Sequence, residues 1–514
     1  MEWEPELESR SDTATKAPCI SVLGTGSDVG KSIVVTALCR YFTMQGLRVA
    51  PYKAQNMSNN SGVTPEGLEM GRAQIVQAEA CRVAPHVDMN PILLKPTSQV
   101  GSQVVVLGEA LANQTASEYH RKKAALFATC CQALDRLRAA YDLIIMEGAG
   151  SCAEVNLMPH DLVNFRIAEY AAASVILVGD IHRGGIFAQL IGTLACLPSQ
   201  QQERIKGFII NRFKGDIRLF DDGVQWIEQK THKPVFGVLP WYDHITIDAE
   251  DSVVIEKPAP VSRQHPDRPE IAVLRLPHIS NFTDFHPLSQ VPGIAVSFVE
   301  NVQELSEFSA VIIPGSKNTR FDLEWIQSTG WAEAINAYAA QGGHILGICG
   351  GYQIIGSVVH DPEGLEGAPG STEGLQLLPV ETTLQAPKTT TLSRFRWNEI
   401  TAEGYEIHMG YTARQGGKPL FEVHQRNQQD CRDEDGCLAG EGRIMGTYMH
   451  GLFDTPGIIR RWLECIGRPD IDVPALVGPD AKDREYDLLA EHVETHVDME
   501  KLKTALGAER WSRL

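Results

Sequence analysis

The sequence predicts an α/β protein built from two doubly wound domains in series, each a parallel sheet packed between helices. Apolar, β-branched runs alternate with helix-length connections from Cys19 onward, which is the pattern of strand and crossover helix repeated. The alternation stops in a Pro- and charge-rich stretch and restarts near Glu270, so two cores are expected. Two of the runs end in Gly-rich turns that open helices, a local geometry suited to binding or nucleophilic chemistry.

The length of 514 residues holds more than one core. Hydrophobic residues at 43% and charged residues at 22% are ordinary for a folded soluble chain. With 46 Lys+Arg against 65 Asp+Glu the formal charge is −19, which argues against a nucleic-acid or acidic-membrane partner, since phosphate backbones demand clustered positive charge. Anionic substrates then need a local cationic site.

Residues 1–18 (MEWEPELESRSDTATKAP) are polar, lack an apolar core and read as a flexible tail rather than a secretory signal. No apolar run reaches the roughly 18 residues a membrane helix needs, Ala171–Gly179 being the longest, so no membrane partner and a cytoplasmic location are expected. The 11 cysteines are scattered and never spaced CxxC, so neither a disulfide framework nor a zinc site is indicated.

The first domain, 19–250, carries the runs CISVLG, LRVAPY, LIIMEGAG, SVILVGD, GFIINRF and VFGVLPW. Residues 251–269, with EKPAPVSRQHPDRPE, read as a linker. The second domain, 270–465, carries IAVLRL, IAVSFV, AVIIPG and HILGIC. Residues 466–514 form a helical extension expected to pack on the second domain.

ISVLGTGSDVGKSIVVTALCRYF places a strand, a Gly-rich turn and Lys-Ser at the start of an amphipathic helix. Backbone N–H groups of Gly30, Lys31 and Ser32 at a helix N-terminus make a phosphate cradle, Lys31 neutralises terminal phosphates, and the Ser32 hydroxyl suits Mg²⁺. The spacing exceeds the standard GxxxxGK[ST] by one residue, with Thr25 where the first Gly is expected. Glu147, at the carboxyl end of LIIME, sits where ligands bind in such sheets and can complete a Mg²⁺ shell.

This loop resembles that of the dethiobiotin synthetase-like P-loop enzymes, which phosphorylate a carboxylate or carbamate. The resemblance implies a P-loop NTPase-like sheet, ATP contacts from Thr25, Gly26, Val29, Gly30, Lys31 and Ser32, a Mg²⁺ site at Ser32 and Glu147, and adenine recognition by Asn211. Partition-type ATPases carry a further lysine five positions before the loop lysine, where this chain has Gly26.

HILGICGGYQIIG has the strand, tight turn and helix that present a nucleophile, and Cys349 would stand at a helix N-terminus whose dipole favours the thiolate. GxCxGxQ resembles the nucleophile motif of class I glutamine amidotransferases, which implies a flavodoxin-like domain and a γ-glutamyl thioester. It also implies an oxyanion hole from the N–H of Gly350 and one near Gly315 or Ser316, with His450 in GTYMHGLFD as base. The usual Glu two residues after that His is Leu452 here, so the third member is absent or comes from elsewhere; Glu406 and His408 are candidates for support.

YKAQNMSNNS, GRAQIVQAEA, VDMNPILLKPTS, EGAGSCAEVNL, VGDIHRGGIFA, KGFIINRFKGD and GYEIHMG together resemble the cobyric acid synthase family of the cobalamin pathway, over about residues 19–465. The resemblance implies that glutamine and Mg-ATP amidate the b, d, e and g carboxylates of adenosylcobyrinic acid a,c-diamide. His182 stands where that family usually has Asp, and Cys152 where Pro is common, while Asp180 and Arg183 are retained. Lys53, Gln55, Asn56, Ser58, Asn59, Asn60 and Ser61, with Arg72 and Lys95, offer amide, hydroxyl and cationic groups for a periphery bearing both amides and carboxylates. Two other readings stay open on sequence: a cobyrinic acid a,c-diamide synthase, and a regulatory P-loop ATPase with an inactive amidotransferase domain.

Overall fold

The computed structural model describes residues 16–96, 101–242, 245, 247, 268–475 and 478–507, with backbone alone at 101, 112–122, 479 and 480. Nearly all of the expected tail and linker therefore lies outside the described residues.

The six apolar runs of the first domain become six parallel strands: β1 (Cys19–Gly24), β2 (Val49–Tyr52), β3 (Leu143–Glu147), β4 (Ser174–Asp180), β5 (Ile205–Phe213) and β6 (Val235–Pro240). Their order is β6-β5-β4-β1-β3-β2, all parallel, with β1 between β3 and β4 where the strand order reverses. Such a switch point opens a crevice at the carboxyl ends of the strands. Helix α1 (Lys31–Met44) leaves β1 through the Gly-rich turn and covers one face with Val34, Val35, Leu38 and Phe42.

The second domain repeats the plan with β7 (Glu270–Leu274), β8 (Ala295–Val299), β9 (Ala310–Ile313), β10 (Ile345–Ile348), β11 (Cys437–Ala439) and β12 (Ile444–Thr447). The order is β8-β7-β9-β10-β12-β11, parallel except for the β11 edge. Helix α2 (Gly350–Ile354) follows β10 after a single residue, Cys349.

The expectation that the C-terminal extension packs on the second domain holds for its start, where Ile466, Ile471 and Val473 join that core, and is corrected for its two helices. Helices α3 (Pro479–His496) and α4 (Met499–Leu506) bury Tyr486, Leu489, Val493 and Leu502 in the same core as α1 of the first domain. Fully buried Arg40 binds Asp483 and Asp487 at 2.7 Å each, and Tyr486 donates to Glu79 at 2.6 Å. An apolar stripe alone does not specify its partner sheet, whereas Arg40 on α1 supplies the cation that those two aspartates meet.

Two small β layers join the domains. Residues 55–115 include a four-stranded sheet beside the first domain, and 389–435 hold another in the second. Across the seam Asn281 accepts from Ser61 N–H at 3.0 Å and Pro65 O accepts from Gln428 at 3.2 Å. Glu69 pairs with Lys388 at 2.7 Å.

Candidate active sites

At the switch point of the first sheet lies a cavity of about 880 Å³. Gly30 caps α1 at φ +92°, a conformation that favours glycine, and a Cβ there would lie 2.0 Å from Asn211 Nδ2. Asn211 in turn donates to Val29 O at 3.0 Å, so the adenine-reading candidate is bonded to the turn itself. Lys31 Nζ donates to the carbonyls of Gly26 and Gly150, both at 2.9 Å, which holds the ammonium over the turn. Thr25 hydroxyl donates to Gln189 at 3.3 Å beside it.

Glu147 ends β3 fully buried and collects three donors: Ser32 Oγ at 2.8 Å, Lys53 Nζ at 2.9 Å and Gln77 Nε2 at 2.5 Å. The hydroxyl and carboxylate are hard oxygen donors on the cavity wall, one carboxylate being the usual protein share of a Mg²⁺ that phosphate oxygens and waters complete. These residues fit the ion. Among the described residues no group of three or more His, Cys, Asp or Glu gathers as a metal cage.

Of the polar block, Lys53, Gln55 and Asn56 line the cavity, as does Arg212. Ser58, Asn60 and Arg72 do not; Ser58 Oγ accepts from Asn60 N–H at 3.0 Å, and Arg72 pairs with Glu79 at 3.4 Å. Asp180 is held by Arg212 at 2.9 Å and by the N–H of His182 at 2.7 Å, while Arg183 is exposed on the following loop. Lys95 belongs to the other site altogether. Cys152 is buried on the cavity wall, its N–H donating to Gly24 O at 3.0 Å, and burial pushes its thiol up to about 12.

Cys349 occupies φ 53°, ψ −110°, a strained conformation for an L-residue that costs on the order of 1–3 kcal/mol and is kept by its surroundings. Two glycines make room for it. A Cβ on Gly351 would lie 1.9 Å from Ile313 O, and one on Gly350 would lie 2.7 Å from Ser316 N. The N–H of Cys349 is taken by Thr447 O at 2.8 Å. Lys317 N–H bonds His278 O at 2.9 Å, so by antiparallel alternation the N–H of the adjacent Ser316 faces away from that strand. Gly350 and Ser316 therefore form the closely apposed pair of backbone groups beside Cys349, whereas Gly315 packs against Ser280 and the His450 ring.

His450 is fully buried and stacks on Tyr405 with ring centroids 5.1 Å apart. Its Nδ1 lies 2.6 Å from Asp284 Oδ2, and Asp284 Oδ1 accepts from Gly451 N–H at 3.1 Å. Burial pulls the imidazole pKa down, but Asp284 and Cys349 outweigh it and lift it to about 10. Asp284 is thus the carboxylate that meets His450, where Leu452 offers none. Glu406 does not: it is engaged by Arg426 at 2.9 Å, by Ser393 at 3.1 Å and by His408 at 3.5 Å. The signal for Asp284 in the sequence is slight, a lone carboxylate in the apolar segment NFTDFHPL.

The cleft at Cys349 is small, about 30 Å³, and both domains line it. Lys95 comes from the first domain; Lys317, Glu366, Lys388 and His408 come from the second.

Residues 20–254 match the CobQ/CobB/MinD/ParA nucleotide binding domain, and residues 270–457 match the CobB/CobQ-like glutamine amidotransferase domain. The chain is 48% identical to the cobyric acid synthase of Chlorobaculum tepidum over 95% of this chain and 98% of that one. The chain belongs to the cobyric acid synthase family. Further cobyric acid synthases resemble it similarly: that of Chlorobium phaeobacteroides strain BS1 is 49% identical over 95% of this chain and 99% of its own. That of Syntrophobacter fumaroxidans is 44% identical over 96% and 99%. As a member of the cobyric acid synthase family the chain is a glutamine amidotransferase ligase of cobalamin biosynthesis. Among the described residues no helix is long and apolar enough to cross a membrane.

Proposed function

We propose that the two sites act in sequence on one product, the amides at positions b, d, e and g of adenosylcobyrinic acid a,c-diamide. In the second domain Cys349 Sγ attacks the side-chain amide carbon of glutamine, with the oxyanion received by the N–H groups of Gly350 and Ser316. His450, oriented by Asp284, hands its proton to the departing ammonia, and water then releases glutamate from the thioester. In the first domain a corrinoid carboxylate oxygen attacks the γ-phosphorus of ATP held at Gly30, Lys31 and Ser32, with Asn211 at the base. ADP leaves, and ammonia displaces phosphate from the acyl phosphate to give the amide. Ser32 and Glu147 would hold Mg²⁺, which when bound neutralises charge on the phosphates. Lys53, Gln55, Asn56 and Arg212 are the groups on the cavity wall suited to a rim of amides and carboxylates.

What supports this reading is that one chain holds Asp284 2.6 Å from His450, a histidine whose pKa Cys349 helps to raise, and Lys31 bonded over the Gly-rich turn, with a polar seam between the domains. ATP and glutamine as joint substrates favour a cytoplasmic location. The test is the stoichiometry of glutamate and phosphate released per amide formed on the diamide: equal amounts support the reading. Glutamate release without any ATP-dependent amide would favour a regulatory ATPase fused to a glutaminase.

A further inference from the structure

The cavity of the first domain has two unlike ends, and the strand order tells them apart. The carboxyl ends of β5 and β6 bring Asn211, Pro240 and Trp241 to one end of its wall. The segments after β2 and β3, on the far side of β1, bring Met57, Leu157 and Met158 to the other. The phosphate turn that follows β1 lies between them. With Asn211 at the base, the nucleotide runs from the β5 and β6 end to the turn, and the acceptor is left the β2 and β3 end. There Met57 is 54% exposed and Leu157 55%. Single exposed apolar side chains are ordinary on a protein surface, but these two open onto one ligand cavity, and Met158 joins them from beside Leu157. Polar groups border them: Gln55 and Asn56 precede Met57, and Lys123 is on the same wall, its ammonium on His160 O at 2.7 Å. Size adds a second argument. The cavity of about 880 Å³ lies within the ~300–1,000 Å³ that one small ligand fills, so a nucleotide triphosphate and a macrocycle together overfill it, and the macrocycle stays partly at the mouth.

We propose that Met57, Leu157 and Met158 form an apolar ledge on which the ring of the corrinoid rests while one of its acid arms reaches the phosphate turn. This deepens, and rests on, the reading that a corrinoid carboxylate is the phosphoryl acceptor. A corrin is a flat, largely apolar macrocycle whose amides and carboxylates are carried on arms at its rim. Apolar side chains bordered by amides and an ammonium complement that division. The residue types also suit a substrate with several acids to present. A charge clamp on one arm fixes one orientation, whereas apolar contact with the ring face is non-directional. Methionine, unbranched and polarizable, repacks against differing shapes. The same ledge therefore serves every amidation, with the ring turned differently at each.

Equilibrium dialysis of adenosylcobyrinic acid a,c-diamide against the full chain, without ATP, reads the ledge apart from the chemistry. Met57→Ser and Leu157→Ser are each expected to weaken diamide binding by about 5- to 20-fold, the double variant by more, and Leu157→Met to keep most of it. Leu219→Ser, at a site 84% exposed that does not line the cavity, is expected to leave binding within about twofold of wild type. ATP binding and melting temperature are expected at wild-type values throughout. In turnover the corrinoid KM should rise by one common factor at each successive amidation, while kcat changes less. Unaltered diamide binding by the double variant, losses equalled by Leu219→Ser, or a KM effect confined to one amidation would overturn the proposal alone. A wild-type chain that neither binds nor amidates the diamide would overturn it together with the reading on which it rests.

Discussion

Asp284 and His450 lie 166 residues apart in the chain, and Asp284 Oδ2 stands 2.6 Å from His450 Nδ1. That carboxylate comes from a short 3₁₀ turn early in the second domain, Phe282–Phe285, rather than from the segment around the histidine. The imidazole, lifted to about 10, stays protonated over the physiological range.

Asp284→Asn removes the larger of the two influences that raise the His450 pKa. The alkaline limb of glutaminase kcat/KM is expected near pH 10 in the wild type and to move toward the ordinary histidine value of about 6.5 in the variant, with a rate loss of roughly 10²- to 10⁴-fold at pH 8. The sign for stability follows from the same shift. A folded pKa above the unfolded one makes protonated His450 stabilising; that contribution is complete below about pH 6.5 and lost as pH rises through about 10. pH–rate profiles and pH-dependent melting of both proteins check this.

Gly351→Ala places a methyl group 1.9 Å from Ile313 O, a backbone atom that cannot step aside. The expected outcome is loss of glutaminase and a stability drop of about 1–3 kcal/mol or more from overpacking. Gly30→Ala is the matching change in the first domain, at φ +92° and 2.0 Å from Asn211 Nδ2. It is expected to abolish ATP-dependent amidation while Cys349-dependent glutamate release persists. Separate assays of the two half-reactions distinguish these results.

Glu69 is buried between Lys95 and Lys388, one from each domain. Burial alone would raise its pKa, but the two ammonium groups at 2.7 Å hold it well below the usual carboxylate range. Glu69→Gln leaves two lysines without a counter-charge at the seam, a loss of about 3–5 kcal/mol. Because the folded pKa is depressed, the stabilisation is present above the unfolded value of about 4.3 and declines as pH falls below it. Urea titrations of wild type and variant should therefore differ most at pH 7 and converge in acid.

Leu489 on α3 is fully buried against the core that α1 shares. Leu489→Ala is expected to cost about 2–5 kcal/mol. The damage should fall on ATP-dependent amidation rather than on glutamate release, since these helices brace the nucleotide-binding domain. A variant with weakened glutaminase and normal ATP use would contradict the observed docking.

Much of the molecule was legible in the sequence because its central strands are continuous apolar runs. All six runs of the first domain are strands, and Cys349, His450, Lys31, Ser32 and Glu147 stand at strand ends or turns that motif chemistry marks. What was not legible depends on tertiary placement. Asp284 is a single acidic residue among aromatics, and nothing local says that it meets a histidine 166 residues later. Lys95 read as a cation for the corrinoid carboxylates, yet it faces the cysteine cleft. The short strands at 55–63 and 358–435 escaped notice because three- to nine-residue polar strands have little periodicity to detect. The docking of the C-terminal helices depended on Arg40, buried in a helix whose sequence reads simply as amphipathic.

The most direct test of coupled glutamine hydrolysis and carboxylate amidation is the mass of the corrinoid product formed from adenosylcobyrinic acid a,c-diamide with glutamine and Mg-ATP. Conversion of four carboxylates to amides is expected, with Cys349→Ala reaching the same product only when ammonium replaces glutamine. A diamide recovered unchanged by the wild type, alongside amidation of the unamidated acid, would contradict it.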